Sequence, residues 1–401
     1  MIRHTIRTLT AVSALLIGAA AAQAQNKVVI GDIDDLSGLY SDVIGKGGIQ
    51  AAQMAIADFG GEVLGQKIEF LSSDHQNKPD IGAAKFREFV DRNKATMILG
   101  GSNTGVSLAM APVANEKKIP FIAIGAAGAS LTGKDCNAYT IHYPYDTTAL
   151  ANGTATTIVK EGGKNWFFLT ADYAFGAQLQ ESASKVVTGN GGKVVGAVRV
   201  PLSTADFSSF LLQAQASNAQ VLGLANAGAD FSNSLKAAKE FGITQTMTPA
   251  ALLAFISDVH ALGLDTAQGL TYTTTWYWDL NDKTREFSKK FSEKMKQPPG
   301  ELQASIYSAV TTYLNAVKAA GTTDSDKVMA ELRKAKIDDM FTTGGKIRSD
   351  GLMEHDMYIV KVKTPAESKA PWDYLKVVQK MGGEEAFGKL SDNTTCPLAK
   401  Q

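Results

Sequence analysis

The chain has 401 residues, 44% of them hydrophobic and 20% charged, with 40 basic and 40 acidic side chains. That balance argues against a nucleic-acid binder, which needs a basic surface to meet phosphates, and against a highly charged disordered chain. The length suffices for two domains, each with a full core.

The first element is not expected to belong to the fold. "MIRHTIRT" carries Arg3 and Arg7, "LTAVSALLIGAAAA" is an apolar run, and "AQA" ends in small residues at Ala22 and Ala24. Basic head, short apolar core and small-residue exit read as a secretory signal peptide over 1–24. The apolar run is too short to span a bilayer, which takes about 20 residues. The mature chain would then be exported, near neutral in charge and without a membrane anchor.

Behind it, short β-branched runs alternate with helical stretches. "KVVIGDI" (27–33) precedes a helical pattern at 47–60, and "KIEFLSSD" (67–74) precedes another at 79–93, where Pro79 and Asp80 suit a helix start. "ATMILGG" (95–101) leads into 106–118, and "PFIAIGA" (120–126) follows. The rhythm restarts with a helix near 148–161, "NWFFLTAD" (165–172), a helix from Phe175, and "GGKVVGAVRV" (191–200). It continues through "AQVLGLAN" (219–226), a helix from Asp230, "TPAALLAF" (248–255) and "GLTYTTTWYW" (269–278). Such repetition predicts βαβ units with parallel sheets.

From residue 282 the pattern turns helical. Ile306, Val310, Leu314 and Val317 recur at spacings of three to four and mark one buried stripe. "HDMYIVKVKT" (355–364) reads as a strand, and "PWDYLKVVQKM" (371–381) as a last short element. Two successive α/β series predict two similar lobes, with chain crossings near 142–147, 273–278 and 349–355. Cys136 and Cys396 are the only cysteines. In an exported chain they read as a disulfide tying the C-terminal tail to the first lobe. The five histidines show no metal-ligand spacing, and no metal or cofactor is expected.

Two strand-end stretches, "GGSNTG" (100–105) and "GAAGASLTGK" (125–134), carry the chemistry. Glycine and alanine let backbone N–H groups approach a ligand, and Ser102, Asn103 and Thr104 add side-chain donors. The second stretch fits G-x-x-x-x-G-K from Gly128 to Lys134, but Asp135 stands where a magnesium-binding hydroxyl is needed. Gly383–Lys389 fits the same pattern without a leading strand. A nucleotide site is therefore not expected. No G-x-S-x-G elbow or H-E-x-x-H occurs, so no enzyme activity is expected either. Ordinary helix caps would account for one such loop, whereas two in succession suit a carboxylate held by neutral donors.

Several segments together carry a family resemblance: "VVIGDIDDLSGLYSDVIGKGGIQAAQMAIADF", "GSNTGVSLAMAPVANEKKIPFI", "ADYAFGAQL" and "LKAAKEFGI". With the leader, they resemble the periplasmic solute-binding proteins of branched-chain amino acid type ABC importers, and more narrowly the subgroup that binds aromatic acids. The resemblance implies two Rossmann-like lobes with parallel sheets and a three-crossover hinge, the type I periplasmic binding protein fold. It places lobe 1 at 26–143 plus 276–350, lobe 2 at 146–273 plus 354–380, and a tail at 381–401. It further implies a periplasmic monomer that passes a small-molecule ligand to an inner-membrane permease.

By position, the resemblance assigns a ligand carboxylate to Asn103, Thr104, Gly125 and Ala127. Phe175 and Tyr173 would face the cleft, with Asn226 lining it from the second lobe. Amino acid binders of this family carry an acid that pairs with the ligand ammonium, and Ala250 stands in its place. Burying an ammonium without a countercharge costs several kcal/mol. Asp230 and Asp146 are the carboxylates available to substitute. Tyr145 and Tyr277 add aromatic surface near the expected cleft, and Gln303 is a candidate for reading a ring hydroxyl. The expected ligand is thus a benzoate-like or hydroxycinnamate-like acid. Alternatives are a branched-chain amino acid or amide, or a ligand-sensing role toward a receptor.

Overall fold

The computed structural model describes residues 27–400, so the expected leader at 1–24 lies outside the described residues. The first body is built from β1 (Val28–Asp34), α1 (Gly45–Asp58), β2 (Glu62–Val63), β3 (Gln66–Asp74), α2 (Pro79–Asp91), β4 (Met97–Gly100), α3 (Thr104–Lys117), β5 (Phe121–Ala123) and β6 (Thr140–His142). The sheet runs in the order β2-β3-β1-β4-β5-β6, and all neighbours pair in parallel except β2 with β3. β1 is buried at every residue, as a central parallel strand covered by helices on both faces must be.

The second body follows with α4 (Thr147–Lys160), β7 (Asn165–Ala171), α5 (Ala174–Gly189), β8 (Lys193–Val200), α6 (Ser208–Ala216), β9 (Val221–Ala225), α7 (Gly228–Glu240) and β10 (Thr248–Ala251). Its sheet is parallel in the order β10-β9-β7-β8. After α8 (Ile256–Leu262) and α9 (Leu264–Ala267), β11 (Thr271–Thr274) packs on α4, and the chain leaves this body beyond it.

The chain then returns to the first body. α10 (Asp282–Met295) and α11 (Glu301–Ala320) pack on α1, and α12 (Ser325–Lys334) packs on α11. The stripe Ile306, Val310, Leu314 and Val317 is fully buried on α11, as its spacing predicts. A small sheet of β12 (Lys336–Ile337), β13 (Gly345–Ile347) and β14 (Met353–Glu354) precedes a last passage to β15 (Met357–Val362). β15 pairs antiparallel with β11 and with β16 (Leu375–Met381), so the segment after Pro371 is mostly strand. A short α13 (Gly383–Phe387) then packs on α4.

Three passages thus join the bodies, at 143–146, 275–281 and 355–356. The first and third lie side by side: His142 bridges Leu352, and His355 Nε2 sits 2.7 Å from the Pro144 carbonyl. Burial holds both imidazoles below the usual histidine range, His142 at about 4. The Cys136–Cys396 disulfide forms and closes a separation of 260 residues, tying the tail to the first body. Among the described residues no helix is long and apolar enough to cross a membrane.

Candidate functional site

The two strand-end stretches meet at the C-terminal ends of β4 and β5, where open α/β sheets bind ligands. At the first, Gly100 has φ +106° and a Cβ would stand 2.6 Å from the Ile33 carbonyl, so only glycine fits this turn. The Asn103 side chain accepts from Gly105 N (2.8 Å) and Val106 N (3.2 Å), capping α3. Thr104 Oγ1 accepts from the backbone of Ala127 (3.3 Å) and Gly128 (3.1 Å), stitching one loop to the other. Gly125, at φ +82°, turns the second loop under Ser102.

A cavity opens over this pair of loops. Ser102, Thr104, Gly125 and Ala127 form one side, with Tyr40, Val43 and Leu302 also from the first body. Tyr173, Phe175, Ala227, Leu253 and Phe255 face them from the second. The bodies are closed on each other. Tyr40 Oη lies 2.6 Å from Tyr173 Oη, and Gln178 exchanges hydrogen bonds with Ser130 N (3.0 Å) and Ser130 Oγ (3.2 Å).

Of the residues expected from sequence, Thr104, Gly125, Ala127, Tyr173 and Phe175 line this cavity. Asn103 does not, because its oxygen is used in capping. Tyr145 lies just behind, its hydroxyl donating to the Gly125 carbonyl at 3.3 Å. Asn226 turns its amide to the Asp230 carbonyl and Ser234, leaving the next residue, Ala227, to face the cavity. Ala250 is buried within β10, and the later Leu253 and Phe255 reach the cleft instead. Tyr277 is held against the Trp372 carbonyl (3.3 Å) beside a different cavity. Gln303 is consumed by capping, donating to Val43 O (2.9 Å) and accepting from Gly300 N (2.8 Å). Tyr40 and Val43 escape the sequence reading, whereas Ser102, named there as a side-chain donor, lines the cavity. Asp35, which accepts from Gly38 N (2.7 Å) and Tyr40 N (2.8 Å), shapes the loop that carries Tyr40 and Val43.

Neither carboxylate proposed to replace the missing acid lines the cavity. Asp230 accepts from Ser203 N at 3.0 Å and Asp146 from Ala149 N at 2.8 Å. Burial pushes both up to about 6.

Behind Ser102 sits a buried group that superficially suggests hydrolysis: Asp34, His75 and Ser102. Ser102 N donates to Asp34 Oδ1 (2.9 Å), and His75 Nε2 lies 3.4 Å from Ser102 Oγ. However, His75 Nδ1 accepts from Asn77 N at 3.0 Å, and burial lowers this imidazole to about 4. The neutral ring therefore carries its proton on Nε2. A triad base must accept at Nε2 and donate from Nδ1 to the carboxylate, which is the reverse. The cluster supports the loop and is not wired to abstract a proton. Asp32 shares the buried face of β1 with Asp34, and burial pushes it up to about 7. Among the described residues no group of His, Cys, Asp and Glu is arranged to hold a metal ion.

Two α/β bodies closing on a cavity at their strand ends define a binding protein of the type I periplasmic class. The periplasmic binding protein family matches residues 27–369, and the chain belongs to it. A crystal structure of a periplasmic binding protein from Burkholderia mallei is 58% identical, covering 93% of this chain and 99% of that one, with a TM-score of 0.91. A branched-chain amino acid ABC transporter ligand-binding protein from Burkholderia xenovorans is 38% identical, covering 93% and 100%, with a TM-score of 0.83. A solute-binding protein of an ABC transporter from Rhodopseudomonas palustris, solved with 3,4-dihydroxybenzoic acid, shares the fold at 22% identity, 89% and 98% coverage and a TM-score of 0.80.

Proposed function

We propose that this protein is the periplasmic solute-binding component of an ABC importer. It takes a small aromatic carboxylate between its lobes and delivers it to a membrane permease without chemical change. The observation that carries the ligand class is the lining of the cleft: among the described residues, no Asp, Glu, Lys or Arg side chain contributes to it. A carboxylate can rest on neutral hydroxyl and amide donors of the first lobe. An amino acid would bring an ammonium that no side chain of the lining neutralises, at a cost of several kcal/mol. The opposite wall, with Tyr173, Phe175 and Phe255, suits a ring. Binding of 3,4-dihydroxybenzoic acid by the Rhodopseudomonas relative is in keeping with this reading.

The second reading, a branched-chain amino acid, rests on the description of the Burkholderia xenovorans relative. A thermal-shift comparison separates the two, since a ligand of the native state raises the melting temperature by mass action. Benzoate and 4-hydroxycinnamate should raise it, and leucine and valine should not. A strong shift with leucine and none with the aromatic acids would reverse the assignment.

A further inference from the structure

A second cavity, with room for about one water-sized group, lies next to the cleft. Phe255 is the one side chain that lines both, and Leu302 of the cleft is the chain neighbour of Glu301 in the second. Its walls include the aromatic rings of Tyr272, Trp276, Tyr277 and Trp278. Trp278 Nε1 and Tyr277 Oη both donate to the Trp372 carbonyl (2.8 and 3.3 Å), so their polar atoms are already used.

Two other polar atoms are not. Glu301 Oε2 accepts from Thr274 Oγ1 (2.6 Å), Thr275 N (2.7 Å) and Thr275 Oγ1 (2.9 Å), which anchors the carboxylate to the second passage between lobes. Its Oε1 has no hydrogen-bond partner among the described residues, although Glu301 is 3% exposed. The hydroxyl of Tyr272, at 1% exposure, is likewise without a partner among them. Leaving such groups unpaired costs about 1–3 kcal/mol each. Both line the same cavity, where a carboxyl oxygen supplies an acceptor and a phenol supplies a donor. A hydroxyl group, with one donor hydrogen and acceptor lone pairs, satisfies both at once. An ammonium, with donors only, leaves the Tyr272 proton unused.

We propose that the cavity behind Phe255 is a distal subsite of the cleft that reads a hydroxyl on the far end of the aromatic acid. The carboxylate rests on the Ser102–Ala127 side, the ring lies along Phe255, and displacement of that side chain joins the two volumes. The ligand is then a hydroxyaryl acid, and Glu301 and Tyr272 rather than Gln303 read the hydroxyl. This rests on the aromatic-acid reading above.

The test is calorimetric titration of wild type, Tyr272→Phe and Glu301→Gln with cinnamate and 4-hydroxycinnamate. Wild type should prefer the hydroxylated acid by about tenfold or more, the size of one well-placed hydrogen bond. Tyr272→Phe should bring the two acids to within about twofold, chiefly by weakening 4-hydroxycinnamate. Glu301→Gln should narrow the preference in the same direction. Because the Tyr272 hydroxyl is unpaired, ligand-free Tyr272→Phe should melt at or above the wild-type temperature, which a load-carrying tyrosine would not do. Equal binding of both acids by wild type, or an unchanged preference in Tyr272→Phe, overturns the subsite and leaves a cavity for ordered water. Failure of wild type to bind either acid overturns the aromatic-acid reading itself, and the subsite with it.

Discussion

The two walls of the cleft are built on different principles. The first-lobe wall sets backbone and hydroxyl groups at the ends of β4 and β5, held by hydrogen bonds between its own loops, as in Thr104 to Ala127 and Gly128, with the side chains of Tyr40, Val43 and Leu302 beside them. The second-lobe wall is side chain, with Tyr173 and Phe175 5.7 Å apart at the start of α5 and Phe255 arriving from the far end of β10. One wall offers fixed donors and the other a shaped apolar surface. Orientation of a carboxylate thus rests with the first lobe, and selection among rings with the second.

The strongest way to break this contrast is Phe175→Ala. Removing a buried phenylalanine should cost about 3–5 kcal/mol of stability, read by urea unfolding, with ring-bearing ligands weakened alongside. A loss under about 1 kcal/mol would show that the apolar wall does not rely on this ring. On the polar wall, Thr104→Ala leaves two backbone N–H groups without their acceptor. Ligand affinity should fall by about 1–3 kcal/mol in calorimetry, for aromatic and aliphatic carboxylates alike. A loss restricted to aromatic acids would contradict the division of labour. Tyr173→Phe removes only the hydroxyl bond to Tyr40 across the cleft, about 0.5–1.5 kcal/mol. It should appear mainly as faster ligand release, since it weakens closure and not the polar wall.

The smallest effect is a slope. Asp32, behind the first wall, is raised by burial from the ordinary carboxylate value to about 7. A carboxylate raised on folding contributes stability that is complete below its unfolded value, roughly 3.9, and is lost as pH rises through about 7. His75 and His142, lowered by burial to about 4, act oppositely: their contribution is present above about 6.5 and lost as pH falls through about 4. In Asp32→Asn the histidine contribution persists and the carboxylate contribution goes. Stability of the variant relative to wild type should therefore rise between pH 5 and 7.5 in urea unfolding. A difference that stays flat across that range would mean Asp32 is ionised in the folded protein.

Legibility in the sequence followed the same division. Gly100, Gly125 and Thr104 announce themselves because strand ends and helix starts impose local backbone demands that few residues meet. Phe175 and Tyr173 come from the family resemblance of the "ADYAFGAQL" segment and not from a local rule. Asn103 and Gln303 look like ligand donors until their capping bonds are seen, since a polar side chain does not declare its partner. Ala250, read from sequence as the place of a missing acid, is buried in β10 and does not reach the cleft. The residues that reach the cavity from that strand are Leu253 and Phe255, past its end.

Alternating strand and helix patterns, the helical return after residue 282 and the strand-end glycines were decided by the sequence alone, because each depends on neighbours a few positions away. Tertiary structure alone decided that Tyr40 meets Tyr173 across 133 residues and that Leu302 and Phe255 close on loops they follow by more than a hundred positions. It also left Glu301 Oε1 and the Tyr272 hydroxyl without partners among the described residues, on two side chains that line one cavity. Such convergence depends on how two sheets twist and pack, and no local pattern of residues encodes it.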